Sequence, residues 1–370
     1  MTFTKHRRAA VVAAGVLLRA LLLCSLAAAA SAQEGGGVGV GPGWPAIPDE
    51  LVNRIAAAGQ EERRRLLEEN RDVLDDRMAD ALVAHAGALM KQGRHEETLP
   101  LYDVARDISA RVGYKQGEIR STRGLAEYHY QRGDYERAVE YAGRVKKLSE
   151  AAGDEWGLAS AFETYGLVAH ARGDYREAMR NYEEALKPFK DSPGTAPAAY
   201  LLNAMGDVRR LTGEYDKALE LFRRSLKILE AAGDRNKVAG VLNNMGIAYR
   251  GKGRIEEALD AYRKSLALST ELGNRREMGG TLNNIGVILA TSGRRAEALE
   301  NFQRSLALLE EVGFRPGVAD VLQCLGVLHQ EQGRKAQAAE FYRRSLKLNE
   351  EMGNQRKARQ LRTYIDSLKL

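Results

Sequence analysis

Amide side chains recur at equivalent places along this sequence. Asn203, Asn243 and Asn283 are forty residues apart, and Gln323 follows after a further forty. An amide both donates and accepts hydrogen bonds, so a row of amides on one surface can bind the backbone of an extended peptide with little regard to its sequence. The spacing therefore favours a binding surface built from similar parts over a single catalytic pocket.

Other polar residues accompany this row. Asn244 and Asn284 are adjacent to two of its members, while Arg210 and Arg250 lie further along the same predicted helices. A guanidinium there could pair with an acidic group or a terminal carboxylate of a bound peptide. The alternative is structural, because consecutive asparagines can also hydrogen-bond between neighbouring helices. The sequence leaves both interpretations open.

No residue pattern typical of an active site, a metal site or a phosphate-binding loop is found. The six histidines show no spacing suited to metal ligands and are His6, His85, His95, His129, His170 and His329. His170 could face a binding surface, although an isolated histidine is usually a polar surface residue. Cys324 has no cysteine partner once Cys24 is removed with a leader, and we expect it to be packed rather than reactive. We therefore expect no catalysis, no cofactor and no metal.

The basic charge is concentrated at the amino terminus. The formal net charge is +6, and the first 32 residues contain four basic and no acidic side chains. Without them the chain has 52 basic and 50 acidic residues. Arginines also recur further along, but Glu220, Asp260, Glu300 and Glu340 lie one helical turn from them, and pairing within helices explains this pattern better than nucleic-acid binding. We expect no nucleic-acid partner.

A fixed period organises the rest of the chain. Seven glycines are forty residues apart: Gly93, Gly133, Gly173, Gly213, Gly253, Gly293 and Gly333. Such a period is typical of a solenoid, in which each unit buries its apolar face against its neighbours. Between these glycines the apolar residues follow a helical period, and Gly233 followed by Asp234 can end one helix and cap the next.

A second set of glycines falls inside predicted helices, seven residues before a repeat glycine: Gly166, Gly206, Gly246, Gly286 and Gly326. Glycine inside a helix costs about 1 kcal/mol relative to alanine. We expect this cost to be offset by close approach of a bulky Tyr or Phe from the partner helix.

The combined pattern resembles the tetratricopeptide repeat (TPR) in its forty-residue variety, as in kinesin light chains and Leu-Gly-Asn scaffolds. The residues that carry the resemblance are Gly246, Tyr249, Gly253, Ala258, Tyr262, Ser265 and Leu266. The resemblance implies an all-α solenoid of seven antiparallel helix pairs in a right-handed superhelix, whose first helices line a concave surface. The first two units depart from the pattern at Ala86, Thr98, Ala126 and Ala142.

Five segments are predicted. Residues 1–32 read as a signal peptide cleaved after Ala32, with a basic start, an apolar run and small residues at the end. A Gly- and Pro-rich linker follows over 33–48, then a helical segment over 49–77, seven repeats over 78–354 and a capping helix over 355–370. No membrane span should remain after cleavage, although Arg19 does not by itself exclude a retained anchor.

The functional expectation is an exported scaffold that holds a protein or peptide in the concave groove. The alternative is a regulatory module acting in trans on a partner enzyme, since arrays of similar type are sometimes joined to a CHAT-type peptidase domain. The sequence does not identify the partner or the oligomeric state.

Overall fold

The structure is a computed structural model that describes residues 49–190, 192 and 194–369. Within them the chain forms 17 α-helices and two short 3-10 helices, with no strand. The expected signal peptide, residues 1–32, and the expected linker, residues 33–48, lie outside the described residues. The prediction of an all-α fold is confirmed for the described part.

The chain divides into two compact units, with the boundary after Val208. The described helices that precede the boundary are α1 Asp49–Ala57, α2 Gln60–Glu69, α3 Asp76–Lys91, α4 His95–Val112, α5 Lys115–Gln131, α6 Tyr135–Ala152, α7 Glu155–Arg172 and α8 Tyr175–Leu186. The 3-10 helices are Arg71–Val73 and Lys187–Phe189.

The boundary lies inside α9, Ala196–Leu211. The helices that follow it are α10 Tyr215–Ala231, α11 Arg235–Gly251, α12 Ile255–Glu271, α13 Arg275–Thr291, α14 Arg295–Glu311, α15 Arg315–Glu331, α16 Lys335–Glu351 and α17 Gln355–Ser367. We call the units the N-unit, up to Val208, and the C-unit, from Arg209.

Successive helices pack as antiparallel pairs, as in a TPR solenoid. The first and second helices of a pair are α3 and α4, α5 and α6, and α7 and α8 in the N-unit, and α11 and α12, α13 and α14, and α15 and α16 in the C-unit. We call the face formed by α11, α13, α15 and α17 the first-helix surface of the C-unit.

The repeat glycines close the first helices. Gly253 has a φ of +79° and Gly293 also +79°, in the left-handed region that a residue with a β-carbon rarely adopts. Gly233, at the end of a second helix, has a φ of +69°. The Asp234 carboxylate then accepts a hydrogen bond of 3.1 Å from the Lys237 backbone N–H, which caps α11. The predicted stop-and-start dipeptide is thus present.

Glycines inside the first helices lie against aromatic rings, as predicted. A β-carbon at Gly246 would lie 2.5 Å from Cε1 of Tyr262, and one at Gly286 would lie 2.6 Å from Cε1 of Phe302. Both rings are buried. The absent side chain therefore allows the two helices of a pair to pack closely.

The first pair, α3 and α4, accommodates its aromatic ring in a different way. Ala86 stands where later repeats have glycine, and the buried ring of Tyr102 lies against Gly124 of the next first helix, where a β-carbon would be 2.3 Å from Cε1 of Tyr102. The glycine that makes room for the ring therefore lies in the following helix pair, not in the pair that contains Tyr102. The departure at Ala86 is therefore compensated at Gly124.

Serine hydroxyls tie the two helices of each C-unit pair together. Ser265 donates to the Ala239 carbonyl at 2.9 Å, and Ser345 donates to the Ala319 carbonyl at 2.7 Å. These serines are fully buried. The Ser of the Ser-Leu signature therefore stabilises each pair through a buried hydrogen bond that also satisfies its own hydroxyl.

Helix α17 covers the last pair of the C-unit. Leu361 and Leu368 are buried, and the ring of Tyr364 lies 5.4 Å from that of Tyr342 on α16. Arg362 pairs with Glu350 on the exposed side at 2.5 Å. One face of α17 thus packs against α16 while the other carries charge.

Candidate functional site

The three asparagines of the predicted row lie on first helices and are largely covered by protein. The exposed fractions are 8% for Asn203, 5% for Asn243 and 9% for Asn283. Asn203 belongs to the N-unit, and the other two belong to the C-unit. These positions are thus at most narrowly open to solvent, and their contact with a ligand stays a prediction.

One amide of the row already has a partner in the neighbouring repeat. Nδ2 of Asn284 on α13 donates to Oδ1 of Asn243 on α11 at 2.9 Å, and both side chains are buried. This is the bond between helices that the structural interpretation of the paired asparagines requires. The two residues are 41 positions apart. An asparagine of the row therefore contacts the residue that follows the equivalent row position in the next repeat.

The same spacing places Cys324 opposite Asn283. A cysteine lacks the two N–H donors of an amide, and the buried Oδ1 of Asn283 accepts no hydrogen bond. Asn243 and Asn283 have equivalent places in successive repeats, but the side-chain oxygen of Asn283 is the one without a donor. A buried acceptor in this state costs about 1 to 3 kcal/mol.

The two candidate arginines differ in accessibility. Arg210 is 1% exposed, which removes it from the residues that an approaching ligand would meet. Arg250 is half-buried on α11. Within the described part of the chain, Arg250 forms no ion pair, whereas many other arginines do. Arg250 is therefore the stronger candidate of the two.

The thiol of Cys324 is half-buried, and burial raises its pKa to about 12. Arg250, Lys357 and the amide of Asn283 act in the opposite direction and are too weak to offset burial. The thiol stays protonated at neutral pH, so it is a poor nucleophile. This agrees with the prediction that Cys324 is packed rather than reactive.

The remaining charges of this surface are largely compensated. Asp320 on α15 is buried and pairs with Lys357 on α17. Burial raises the pKa of Glu277 to about 7, against the weaker opposing effects of Arg276 and Lys237. By contrast, Val327 on α15 is 39% exposed. The first-helix surface of the C-unit thus combines amides, an exposed aliphatic side chain and the unpaired guanidinium of Arg250.

The prediction that His170 is a polar surface residue is wrong. Its side chain is 7% exposed, and Nε2 lies 3.4 Å from Oδ2 of Asp207, which is 1% exposed. Both residues belong to first helices of the N-unit. The carboxylate in the next repeat, 37 residues away, makes burial of the imidazole favourable. The sequence signal was an acid on the following first helix rather than on the histidine's own helix.

Three basic residues of the second helices form ion pairs, partly as predicted. Lys264 pairs with Asp260 at 2.7 Å within α12, and Arg304 lies 3.9 Å from Glu300 within α14. Arg344 instead pairs with Glu310 of the preceding second helix at 3.3 Å. Pairing with acids therefore accounts for part of this charge, between helices as well as within them.

A second set of ion pairs was not predicted. Each joins the first residue of a first helix to the end of the second helix of the same pair: Arg235 with Glu271, Arg275 with Glu311, and Arg315 with Glu351. The last of these borders a cavity of about 450 Å³ floored by Val318, Leu322 and Leu348. The acids at its rim, Glu310 and Glu351, are both ion-paired. These pairs could have been predicted from the sequence, because the arginine and the glutamate of each pair are separated by the same 36 residues.

No cluster of three or more His, Cys, Asp or Glu side chains that could hold a metal ion occurs in the described residues. None of the described helices has the length and apolar character needed to cross a membrane.

Paired helices with a forty-residue period and an amide-bearing first-helix surface define an α-helical repeat protein. The profile of the tetratricopeptide repeat family matches residues 77–151, 197–271 and 277–351, and the chain belongs to this family. The stretch between the first two matched segments, 152–196, contains the shortened helix α8 and the 3-10 helix Lys187–Phe189 with Pro188. No curated protein matches the chain.

Solved structures similar to the chain include RapI, a Rap protein and NprR. The apo form of RapI superposes with a TM-score of 0.61 at 14% identity, covering 75% of this chain and 99% of RapI. A Rap protein complexed with competence and sporulation factor gives 0.57 at 14% identity, covering 87% and 96%. NprR in complex with its cognate peptide NprX gives 0.56 at 14% identity, covering 87% and 98%. At these identities the similarity shows the fold alone.

Proposed function

We propose that this protein is a non-catalytic binding scaffold that holds an extended protein or peptide segment on its first-helix surface. The observation that carries the proposal is the buried Oδ1 of Asn283, which has no donor within the described structure. A backbone N–H from an extended segment is the kind of donor that this oxygen lacks. Binding would therefore remove an energetic cost that the free protein bears.

The neighbouring side chains support a peptide over a small polar ligand. Val327 exposes an aliphatic side chain, and Arg250 supplies an unpaired cation on the same surface. An extended segment offers backbone groups, apolar side chains and carboxylates together. Two of the similar structures, the Rap complex and the NprR complex, contain bound factor or peptide, which is consistent with this role without assigning a ligand here.

The test uses the full chain as bait for proteins of the native cell envelope. We compare the wild type with a variant in which Asn203, Asn243 and Asn283 are changed to Ala, and identify captured proteins by mass spectrometry. Loss of these amides should weaken capture, because the backbone N–H of the ligand that meets Asn283 would be left unsatisfied at about 1 to 3 kcal/mol. The control variant changes Arg223, Arg224, Arg343 and Arg344 to Gln and should capture the same partner as the wild type.

Thermal melting of each bait separates binding from folding. Asn243 accepts a hydrogen bond from Asn284, so its loss should lower the melting temperature to some extent. A folded asparagine variant that captures normally, together with failure of the arginine variant, would place binding on the second helices and refute the proposal. An asparagine variant that unfolds would show that the amides are structural, and Asn283→Ala alone then becomes the test of binding.

We also propose that the protein is exported. The proposal rests on the leader pattern that ends at Ala32. Amino-terminal sequencing of the protein from its native host should find Gln33 as the first residue of a form outside the cytoplasm. Recovery of an intact amino terminus on a cytoplasmic form would contradict export.

A further inference from the structure

We propose that the cavity between α14 and α16 binds a medium-chain aliphatic carboxylate. The alkyl chain lies on the floor formed by Val318, Leu322 and Leu348, and the carboxylate pairs with Lys347 at the rim. The cavity shares no residue with the asparagine row, so this inference goes beyond the proposed function and does not depend on it.

The apolar floor is formed by side chains of two helices. Val318 and Leu322 are four residues apart, which places them on the same face of α15, and both are buried. Leu348 of α16 is half-buried and lines the same cavity. The volume of about 450 Å³ falls within the range of about 300 to 1,000 Å³ that is typical of small-molecule sites. An alkyl chain placed on this floor removes apolar surface from water.

Two ion pairs stand at the rim of the cavity. Arg344 of α16 pairs with Glu310 of α14 at 3.3 Å. Arg315 of α15 pairs with Glu351 of α16. Both acids of the lining therefore already have a cationic partner.

Lys347 is the third cation of the lining, and it forms no ion pair with a described carboxylate. Three cations and two acids give the cavity one positive charge in excess. This excess matches a ligand with a single negative charge. A phosphate monoester carries a charge of about −1.5 to −2 at pH 7, and the two rim acids disfavour the additional charge. A carboxylate therefore fits the rim better than a phosphate.

The cavity joins two positions that vary among the repeats of the C-unit, those of Val318 and Lys347. The corresponding residues are Met278 with Ala307 in the preceding repeat and Val238 with Ala267 in the repeat before that. A methionine extends further from its helix than a valine does, and an alanine carries no charge. The last repeat is thus the one in which a short floor residue occurs together with a rim cation.

The experiment titrates the full-length protein, isotope-labelled in the methyl groups of Val and Leu, with octanoate and with octanol as the uncharged analogue. Methyl signals are assigned by single substitutions, and their shifts give the dissociation constants. The variants are Lys347→Ala and Val318→Met, which introduce the residue types of the preceding repeat. The matched control is Lys227→Ala, because Lys227 occupies the equivalent position on α10, is exposed and has no ion pair in the described structure.

We expect octanoate to shift the methyl signals of Val318, Leu322 and Leu348. Lys347→Ala should weaken octanoate binding about three- to fivefold, the effect of losing one solvent-exposed ion pair, and should leave octanol binding unchanged. Val318→Met should weaken both ligands about tenfold or more, because the longer side chain fills the floor. Lys227→Ala should bind both ligands like the wild type.

Thermal melting shows whether each variant is folded. Lys347 is exposed, so Lys347→Ala should melt like the wild type. If Val318→Met melts at a lower temperature, the comparison of octanoate with octanol in Lys347→Ala still decides the proposal.

Three results would overturn the carboxylate site. The first is octanoate that leaves the floor methyl signals unshifted. The second is octanoate that binds no more tightly than octanol and responds alike to Lys347→Ala and Lys227→Ala. The third is a captured envelope protein that shifts the floor methyl signals when octanoate does not, which would assign the cavity to an apolar side chain of a protein partner. The first two results leave peptide binding on the first-helix surface intact, since that surface is tested through the asparagines.

Discussion

Two glycines of helix α11 provide a direct test of how the helix pairs pack. A β-carbon at Gly246 would lie 2.5 Å and 2.6 Å from two ring carbons of Tyr262, closer than a β-carbon and a ring carbon can approach. A β-carbon at Gly240, less than two turns earlier, would have no atom within 4 Å. Alanine at these two positions should therefore have opposite effects on stability.

The magnitudes follow from a comparison within one helix. Alanine in place of glycine favours a helix by about 1 kcal/mol, and both variants gain this equally. Gly240→Ala should therefore stabilise by about 0.5 to 1 kcal/mol. Gly246→Ala adds a methyl group against a ring that is 0% exposed and cannot move freely, at a cost of about 1 to 3 kcal/mol. The difference between the two variants should equal this packing cost.

Urea denaturation followed by far-ultraviolet circular dichroism measures both variants against the wild type. The Tyr262→Leu background is the control, because without the ring Gly246→Ala should behave like Gly240→Ala. Equal denaturation midpoints for Gly240→Ala and Gly246→Ala in the wild-type background would refute the close contact. So would a midpoint difference that persists after the ring is removed.

Two further predictions concern charge. Burial raises the pKa of Glu277 from its ordinary value of 4.5 to about 7. Between these two pH values the folded protein binds a proton that the unfolded chain releases, so the free energy of unfolding increases as the pH falls through that interval. Glu277→Gln should raise the melting temperature at pH 8 and leave it nearly unchanged at pH 5, and equal effects at both pH values would contradict the assignment. The pair of Arg275 and Glu311, at 2.9 Å, is more than half exposed on both sides, so Arg275→Gln should destabilise by less than about 1 kcal/mol at low salt and by nothing measurable in 1 M NaCl.

Much of the fold was predictable because the glycine positions have a local cause. Gly253 ends a helix in a left-handed conformation, and Gly246 makes room for a ring sixteen residues later in the same pair. Both requirements act within one repeat, so seven copies of the pattern reinforce one another. The contact of Tyr102 with Gly124 was not predicted, because the glycine that contacts this ring lies in the next repeat.

The polar contacts were harder to predict because they cross between repeats. His170 was assigned to the surface because an isolated histidine is usually a polar surface residue, yet Asp207 lies beside it from the next first helix. Likewise, Asn203, Asn243 and Asn283 were treated as equivalent because they share one place in the repeat. Whether the side-chain oxygen of such an asparagine accepts a hydrogen bond depends on another position, in the following repeat. That position is Asn284 for Asn243 and Cys324 for Asn283.

This dependence shows how a residue in one repeat can change the hydrogen bonding of an asparagine in the preceding repeat. Where the contact residue of the next repeat is also an amide, the two side chains satisfy one another and the pair is structural. Where that residue is a cysteine, whose S–H is only a weak donor, the buried oxygen is left without an amide partner at an energetic cost. In the C-unit the change from Asn284 to Cys324 leaves the buried Oδ1 of Asn283 without a hydrogen bond. The break in the repeat at Cys324, rather than the repetition of asparagine, therefore sets Asn283 apart from Asn243.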